Sequence, residues 1–421
     1  MQTTSLPQTG TPRERLIREM EDARGGDVDW RAGKLPGFYV HFARDDVVDI
    51  GKDAFNRFFS TNALGLGAFP SIAKFESELV GWVLDLFHAP ETACGSVTSG
   101  GTESIFLAVK TARDHALAQR PDIAQPKIIV PYSAHPAFSK AAKYLRMTIE
   151  RVPLTAGLRV DPAAVAAAID NETIMLVGSA PEFTYGMIDP IDELAELASR
   201  HGLWMHVDAC VGGFIAPFAE RLGHDIPRWD FRVPGVTSIS ADLHKYGFAP
   251  KGASVVAFRD DAYRAFQIFD FDGWSRGRYL APTFAGTRSG ANIAAAWAVM
   301  KYLGMEGYLE IAGEIMAKMD MLRAGIDAID GIEVCGDPRL SLMSFQSPGL
   351  DIHAIAAGLS ERGWYTVAPS PDPPAINLGL LSLAFGAVAE TWLEDLREIV
   401  AAVKDGKTDF DRDKVGSYGT G

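Results

Sequence analysis

The stretch SISADLHKYGFAPKG, residues 238–252, sets His244, Lys245 and Tyr246 side by side and adds a second lysine at Lys251. A lone lysine is most often a surface charge. Lys245 differs because it follows the apolar run VTSIS, residues 236–240, by only a few positions. That run reads as a buried strand, and strand ends in α/β sheets commonly present reactive groups. A lysine amine in such a place can condense with a carbonyl.

The segments around this stretch define the fold class. IIV (128–130), IMLVG (174–178), LWMHVD (203–208), VTSIS and SVVAF (254–258) are short apolar runs. Helical patterns such as IDELAELASR (191–200) lie between them. Short apolar strands alternating with helices predict an α/β domain with a mostly parallel sheet. Little chain separates the last two runs, so they are expected as an antiparallel edge. Upstream, Ile72, Phe75, Leu79, Val83 and Leu86 recur at helical spacing, and one face of that segment is expected in the core. A second helix is expected over residues 102–115. Thr11-Pro12 before RERLIREMEDA predicts a first helix capped by Thr11.

From Lys301 the texture changes. A long helix runs toward Ile326, GIEVCG and LSLMSFQS read as strands, and IHAIAAGLSERG and ETWLEDLREIVAAV read as helices. The expected division is an N-terminal helical segment (1–60), a large α/β domain (61–300) and a smaller α+β domain with a polar tail (301–421). Taken alone, the tail DGKTDFDRDKVGSYGTG reads as a fraying end.

Composition narrows the class further. With 47% apolar and 22% charged residues, the 421-residue chain suits a soluble globular protein. A net charge of −14 excludes bulk attraction to nucleic acid or anionic membrane. Three scattered cysteines argue against a disulfide scaffold and fit a reducing compartment, the cytoplasm. No metal-ligand spacing appears, so no metal is expected. The N-terminus lacks the apolar core of a signal peptide, and ANIAAAWAVM (291–300) is too short to cross a bilayer.

Three further groups bear on chemistry. Asp208 ends LWMHVD, and a half-buried carboxylate there needs a partner. A protonated pyridine nitrogen would serve, although a helix cap is the commoner use. Ala209 offers a small face to a flat ring. In SGGTES (99–104), Gly100 and Gly101 permit a tight turn at a helix start, whose amides hold phosphate well. Thr102 and Ser104 offer hydroxyls. His135, after IIVPYSA, and His244 read either as hydrogen-bonded loop histidines or as groups that stack on a ring, move a proton or contact a phosphate.

Taken in order, GSVTSGGTESIFLAVKTARD, GSAPEFTYGMIDPI, HVDACVGGF, SISADLHKYGFAPKGASVVAF and PTFAGTRSG resemble the sphingosine-1-phosphate lyases, within the group II pyridoxal-phosphate decarboxylases. The resemblance covers roughly residues 55–347. It implies the aspartate-aminotransferase type of PLP-dependent fold (fold type I) with pyridoxal 5'-phosphate as cofactor. Lys245 would form the Schiff base, Asp208 would pair with the pyridine nitrogen, and His135 would stack on the ring. Gly100, Gly101, Thr102 and His244 match segments that hold the cofactor phosphate. Gly286, Thr287 and Arg288 match a segment expected to reach a phosphate site across the interface of a homodimer with shared active sites. Tyr418 falls in a YG-containing C-terminal stretch of these lyases.

The implied reaction is retro-aldol cleavage of a phosphorylated sphingoid base, an amphiphilic lipid phosphate, to a fatty aldehyde and phosphoethanolamine. Lys245, Tyr246, Lys251 and His135 are the expected proton-transfer groups. The chain departs from the lyase pattern NPLHPDxFP, which here reads NALGLGAFP, residues 62–70. Asn62 persists, while Gly65 and Gly67 lack the side chains expected to line the substrate site. Arg278, Arg288 and Lys251 are the candidates to compensate. Amino-acid decarboxylation is the alternative, with an arginine holding the carboxylate. A non-catalytic binding protein is the remaining one, weakened by the presence of both Lys245 and Asp208.

Overall fold

The computed structural model describes residues 5–37 and 39–418. Its main sheet has seven strands: β1 (Cys94–Thr98), β2 (Lys127–Pro131), β3 (Thr148–Val152), β4 (Thr173–Ser179), β5 (Trp204–Asp208), β6 (Ser238–Ala241) and β7 (Ser254–Phe258). They lie in the order β1-β7-β6-β5-β4-β2-β3. Strands β3, β2, β4, β5 and β6 are mutually parallel. Every residue of β4, β5 and β7 is buried, as expected where helices cover both faces of a sheet.

The antiparallel pairing of β6 and β7 matches the expectation, but β7 is not the edge. Strand β1 pairs beside it, from Cys94 opposite Phe258 to Thr98 opposite Ser254. CGSVT has no apolar run to mark it as a strand, and its pairing partner lies far along the chain. Two antiparallel steps leave β1 pointing the same way as β6. The C-terminal ends of β1, β2, β4, β5 and β6 therefore share one edge of the sheet, the usual place for ligands in this architecture.

Helix Pro70–Leu86 buries Ile72, Leu79, Val83 and Leu86 along one stripe. Helix Gly101–Gln119 starts at the second glycine of the Gly-Gly pair, separated from β1 by two residues, with Gly100 at its N-cap. The first helix, Arg13–Ala23, is preceded by Pro12 and has no side-chain cap. Thr11 therefore does not cap it, and the Pro12 carbonyl instead accepts the Leu16 amide at 3.0 Å.

Strands β8 (Phe269–Trp274) and β9 (Gly277–Ala281) form a separate exposed hairpin. Strands β10 (Glu333–Val334), β11 (Leu342–Gln346) and β12 (Ala375–Leu380) form a small antiparallel sheet. The boundary expected at residues 300/301 falls inside helix Gly290–Asp327, which Gly304 interrupts with φ 53° and ψ −168°.

The tail is tied down as far as it is described, contrary to its fraying composition. The Gly416 amide donates to the Thr366 carbonyl at 2.8 Å, and the Ala368 amide donates to the Gly416 carbonyl at 3.0 Å. A Cβ at Gly416 would lie 2.8 Å from the Tyr365 hydroxyl, so a larger residue would have to displace that ring. No described helix is long and apolar enough to cross a membrane.

Candidate active site

The shared strand edge opens into a cavity of about 350 Å³, within the usual range for small-molecule sites. Five strand ends furnish it. Ser99, Gly100, Gly101 and Thr102 follow β1, His135 follows β2, Ser179 ends β4, Asp208 ends β5, and Asp242, His244 and Lys245 follow β6. Tyr418 of the tail closes one side.

Lys245 is held by a carboxylate that sequence reasoning passed over. Its Nζ lies 2.9 Å from Asp242 Oδ2, and the Asp242 side chain is only 3% exposed. Burial works against the Lys245 charge, but Asp242 outweighs it and holds the amine protonated well above the ordinary lysine range. Burial likewise opposes the Asp242 charge, and the Lys245 and His244 charges overcome it and lower the carboxyl pKa. Asp242 Oδ1 is buried without a hydrogen-bond partner. The approach is close because residue 101 is glycine. A Cβ there would sit 2.8 Å from Asp242 Oδ1 and 2.8 Å from Cys210 Sγ.

Asp208 accepts the Cys210 amide at 3.1 Å and the Ser240 hydroxyl at 3.4 Å. Behind it, His206 Nε2 lies 3.2 Å from Ser240 Oγ and Nδ1 lies 2.8 Å from Ser238 Oγ. Burial pushes His206 down to about 4, so it is a neutral ring that fixes the two serines. The alternation H-V-D on β5 opposite S-I-S on β6 was the available signal, because His206 and Asp208 share a face with Ser238 and Ser240.

His135 Nδ1 accepts the Ala137 amide at 3.2 Å, which places the neutral ring's proton on Nε2, 3.4 Å from the Tyr418 hydroxyl. Burial, more than any neighbour, lowers its pKa. Glu103 clamps the glycine turn: Oε2 accepts the Ser99 amide and hydroxyl at 2.6 Å, and Oε1 accepts the Phe284 amide at 2.8 Å.

Several expected residues lie elsewhere. Tyr246 is 1% exposed, and its hydroxyl sits 3.4 Å from the Ser341 and Leu381 carbonyls. It is a packing group rather than a proton carrier to this cavity. Ser104 is fully buried against Thr98 and Ser254 and offers nothing to a ligand. Ala209 is wholly buried, and the wall passes from Asp208 to Cys210 and Val211. Arg278 is exposed on the hairpin and paired with Asp270 at 2.8 Å. Arg288 is buried in a two-pronged pair with Glu76 and also donates to the Val97 carbonyl at 2.9 Å. Asn62 Oδ1 accepts the Leu64 and Gly65 amides at 3.1 and 3.2 Å. Thr287 lines a separate small cavity beside Arg288, and a Cβ at Gly286 would meet the Tyr279 hydroxyl at 2.9 Å. Within one chain, none of these last five reaches the Lys245 cavity.

A second cavity, about 530 Å³ and mostly apolar, shares His244 as a wall. Lys251 stands on it and donates to the His244 carbonyl at 3.1 Å. Asn292 holds the Lys251–Gly252 turn through both carbonyls, at 3.3 and 3.1 Å. Desolvation in the cleft and the charge of Lys245 bring Lys251 down to about 8.

The donor set of the first cavity suits pyridoxal phosphate: an amine for its aldehyde, a carboxylate, a neutral imidazole, and a helix start at which Gly101 has no room for a Cβ. The model of the pyridoxal-dependent decarboxylase conserved domain matches residues 32–347, well over half the chain. The chain belongs to the pyridoxal-dependent decarboxylase family, and within it to the sphingosine-1-phosphate lyases.

It is 42% identical to the sphingosine-1-phosphate lyase of Arabidopsis thaliana, over 96% of this chain and 74% of that one. Against the sphingosine-1-phosphate lyase of Saccharomyces cerevisiae the identity is 40%, over 93% and 67%. The solved sphingosine-1-phosphate lyase of Burkholderia pseudomallei K96243 superposes with a TM-score of 0.92 at 38% identity, covering 96% of this chain and 94% of that one. The fold is accordingly the PLP-dependent transferase fold of type I, and the chain is a pyridoxal-phosphate-dependent enzyme.

Proposed function

We propose that this enzyme cleaves a phosphorylated sphingoid base between the amine-bearing carbon and the hydroxyl-bearing carbon, giving a fatty aldehyde and phosphoethanolamine. The observation that carries the reading is the convergence of Lys245, Asp208 and His135 on one cavity that no described arginine lines. Decarboxylation calls for a group to hold a substrate carboxylate. Both candidate arginines are already paired, with Asp270 and Glu76.

When bound, pyridoxal phosphate supplies an aldehyde for the substrate amine and a conjugated ring that takes up an electron pair. Lys245 is the protein amine for that aldehyde. Asp208, steadied by Cys210 and Ser240, keeps a positive charge on the ring nitrogen. His135 presents the face of a neutral ring, and residues 100–102 receive the phosphate. Lys251, near neutrality at about 8, accepts the proton of the substrate hydroxyl as the carbon–carbon bond breaks. Lys245 returns a proton to the carbon that keeps the nitrogen. Asp242 holds Lys245 in place before the cofactor arrives.

The same reading includes a homodimer. Phe269, Phe271, Trp274, Leu280 and Phe284 are each 47–73% exposed on and beside the hairpin, an apolar patch of the kind that marks an interface. The hairpin leads on to Gly286 and Thr287, which would then serve the partner's site, while Arg288 stays tied to Glu76. Cys94, Cys210 and Cys335 are all buried and free, which suits the cytoplasm.

The test is incubation of the cofactor-loaded protein with a sphingoid base phosphate, with products read by mass spectrometry and Lys245→Ala as control. A long-chain aldehyde with phosphoethanolamine, absent from the control, is expected. Carbon dioxide release from amino acids with no aldehyde formed would overturn the proposal.

A further inference from the structure

We infer that the 530 Å³ cavity beside the catalytic one is the subsite for the hydroxyalkyl arm of the substrate, with His41 in its wall receiving the hydroxyl and the apolar side chains receiving the chain. This rests on the function proposed above and deepens it.

Three observations carry the inference. The first is continuity. His244 lines both cavities, and Lys251, bonded to the His244 carbonyl at 3.1 Å, lines the second. A substrate carbon at Lys245 would thus have its neighbour on the side of Lys251. The second is an unmet hydrogen-bonding demand. Both ring nitrogens of His41 are buried without a partner, and no other nitrogen among the described side chains is in that condition. A buried imidazole with two idle nitrogens calls for a ligand bearing a polar group. Burial, with the charges of Lys251, Lys245 and His244 adding to it, keeps that ring neutral. A neutral ring suits a hydroxyl, to which it can donate or from which it can accept. The third is the rest of the wall. Trp30, Val47, Val48, Phe55, Phe248 and Pro250 give hydrocarbon contact, and no acidic side chain lines this cavity.

An apolar wall favours each added methylene by about 0.8 kcal/mol, about fourfold in kcat/KM. The experiment uses cofactor-loaded enzyme and a homologous series of 2-amino-1,3-diol phosphates with short, medium and long alkyl arms. Wild-type kcat/KM is expected to climb steeply with arm length until the cavity is filled. Val48→Trp obstructs the wall, and the ratio of wild-type to variant kcat/KM is expected to rise with arm length, tenfold or more at the long end. Lys52→Trp, at an exposed position one turn along the same helix, gives the same test should Val48→Trp fail to fold. His41→Phe removes the nitrogens and keeps the bulk. It is expected to lower kcat at least tenfold for every arm while preserving the length dependence.

A ratio that is equal at every length, or wild-type rates indifferent to length, overturns the subsite alone. A length-independent loss accompanied by a change in dimer mass would assign the groove to a second copy of the chain, and also overturns it. No cleavage of any member by the wild type overturns the function and the subsite together.

Discussion

Replacing Asp242 with asparagine removes one charge and almost no volume, and it isolates the contact between the two groups nearest the chemistry. Lys245 Nζ is 2.9 Å from Asp242 Oδ2, with the two side chains 20% and 3% exposed. Removing one member of such a pair strands the other charge in a poorly solvated place, at a typical cost of 3–5 kcal/mol. The residual exposure of Lys245, and the weaker support it draws from Asp208, put the expected loss at the low end, about 3 kcal/mol. That lowers the folded-to-unfolded ratio roughly a hundredfold.

The pH dependence has a definite sign. The folded pKa of Asp242 is lowered, so its contribution is present above the unfolded value near 4 and is lost only as pH falls through the folded value. The folded pKa of Lys245 is raised, so its contribution is present below the unfolded value near 10.4 and is lost as pH rises through the folded value. The penalty of the substitution should therefore be flat between roughly pH 5 and 9. Urea unfolding of cofactor-free wild-type and Asp242→Asn protein at several pH values in that window measures it. A loss below about 1 kcal/mol, or one that changes steeply across the window, would refute the account of Lys245 as a buried, paired ammonium.

Three other outcomes follow from the same geometry. Lys251, brought down to about 8, should give kcat/KM a limb that rises through pH 8 as the amine loses its proton, and Lys251→Arg, which stays charged, should abolish that limb in a pH–rate profile. Gly101→Ala pushes a methyl to 2.8 Å from Asp242 Oδ1 and Cys210 Sγ; overpacking of about 1–3 kcal/mol should weaken pyridoxal phosphate binding about tenfold or more in an absorbance titration. Arg288→Ala leaves the half-buried Glu76 without its cation and with only the Val97 amide as donor, and should cost about 3 kcal/mol of stability, read by urea unfolding, whereas a loss confined to KM with stability intact would return Arg288 to substrate binding.

Much of the fold was legible because parallel strands buried on both faces must be short apolar runs. IMLVG, LWMHVD, VTSIS and SVVAF all became strands of the main sheet. Strands without that signature were not legible. CGSVT of β1 is polar and small, and TIERV of β3 lies at the sheet edge with only Val152 fully buried. In the second sheet, β12 follows a proline-rich loop that masks it. The site was legible only where chemistry falls at strand ends. Asp242 stands in the opening stretch itself, yet spacing says nothing about which of several polar residues will face an amine.

The sequence by itself determined the α/β class, the placing of Lys245 and Asp208 at strand ends, and the glycine turn at residues 100–101. These depend on local patterning, which hydrophobic period and backbone sterics set directly. Tertiary structure alone decided which groups meet. It turned Tyr246 into the core, tied Arg288 to Glu76, brought Tyr418 from the far terminus to His135, and set His41 unpaired beside Lys251. Those contacts join residues separated by up to 283 positions. They are fixed by packing of whole elements, and no spacing in the chain encodes them.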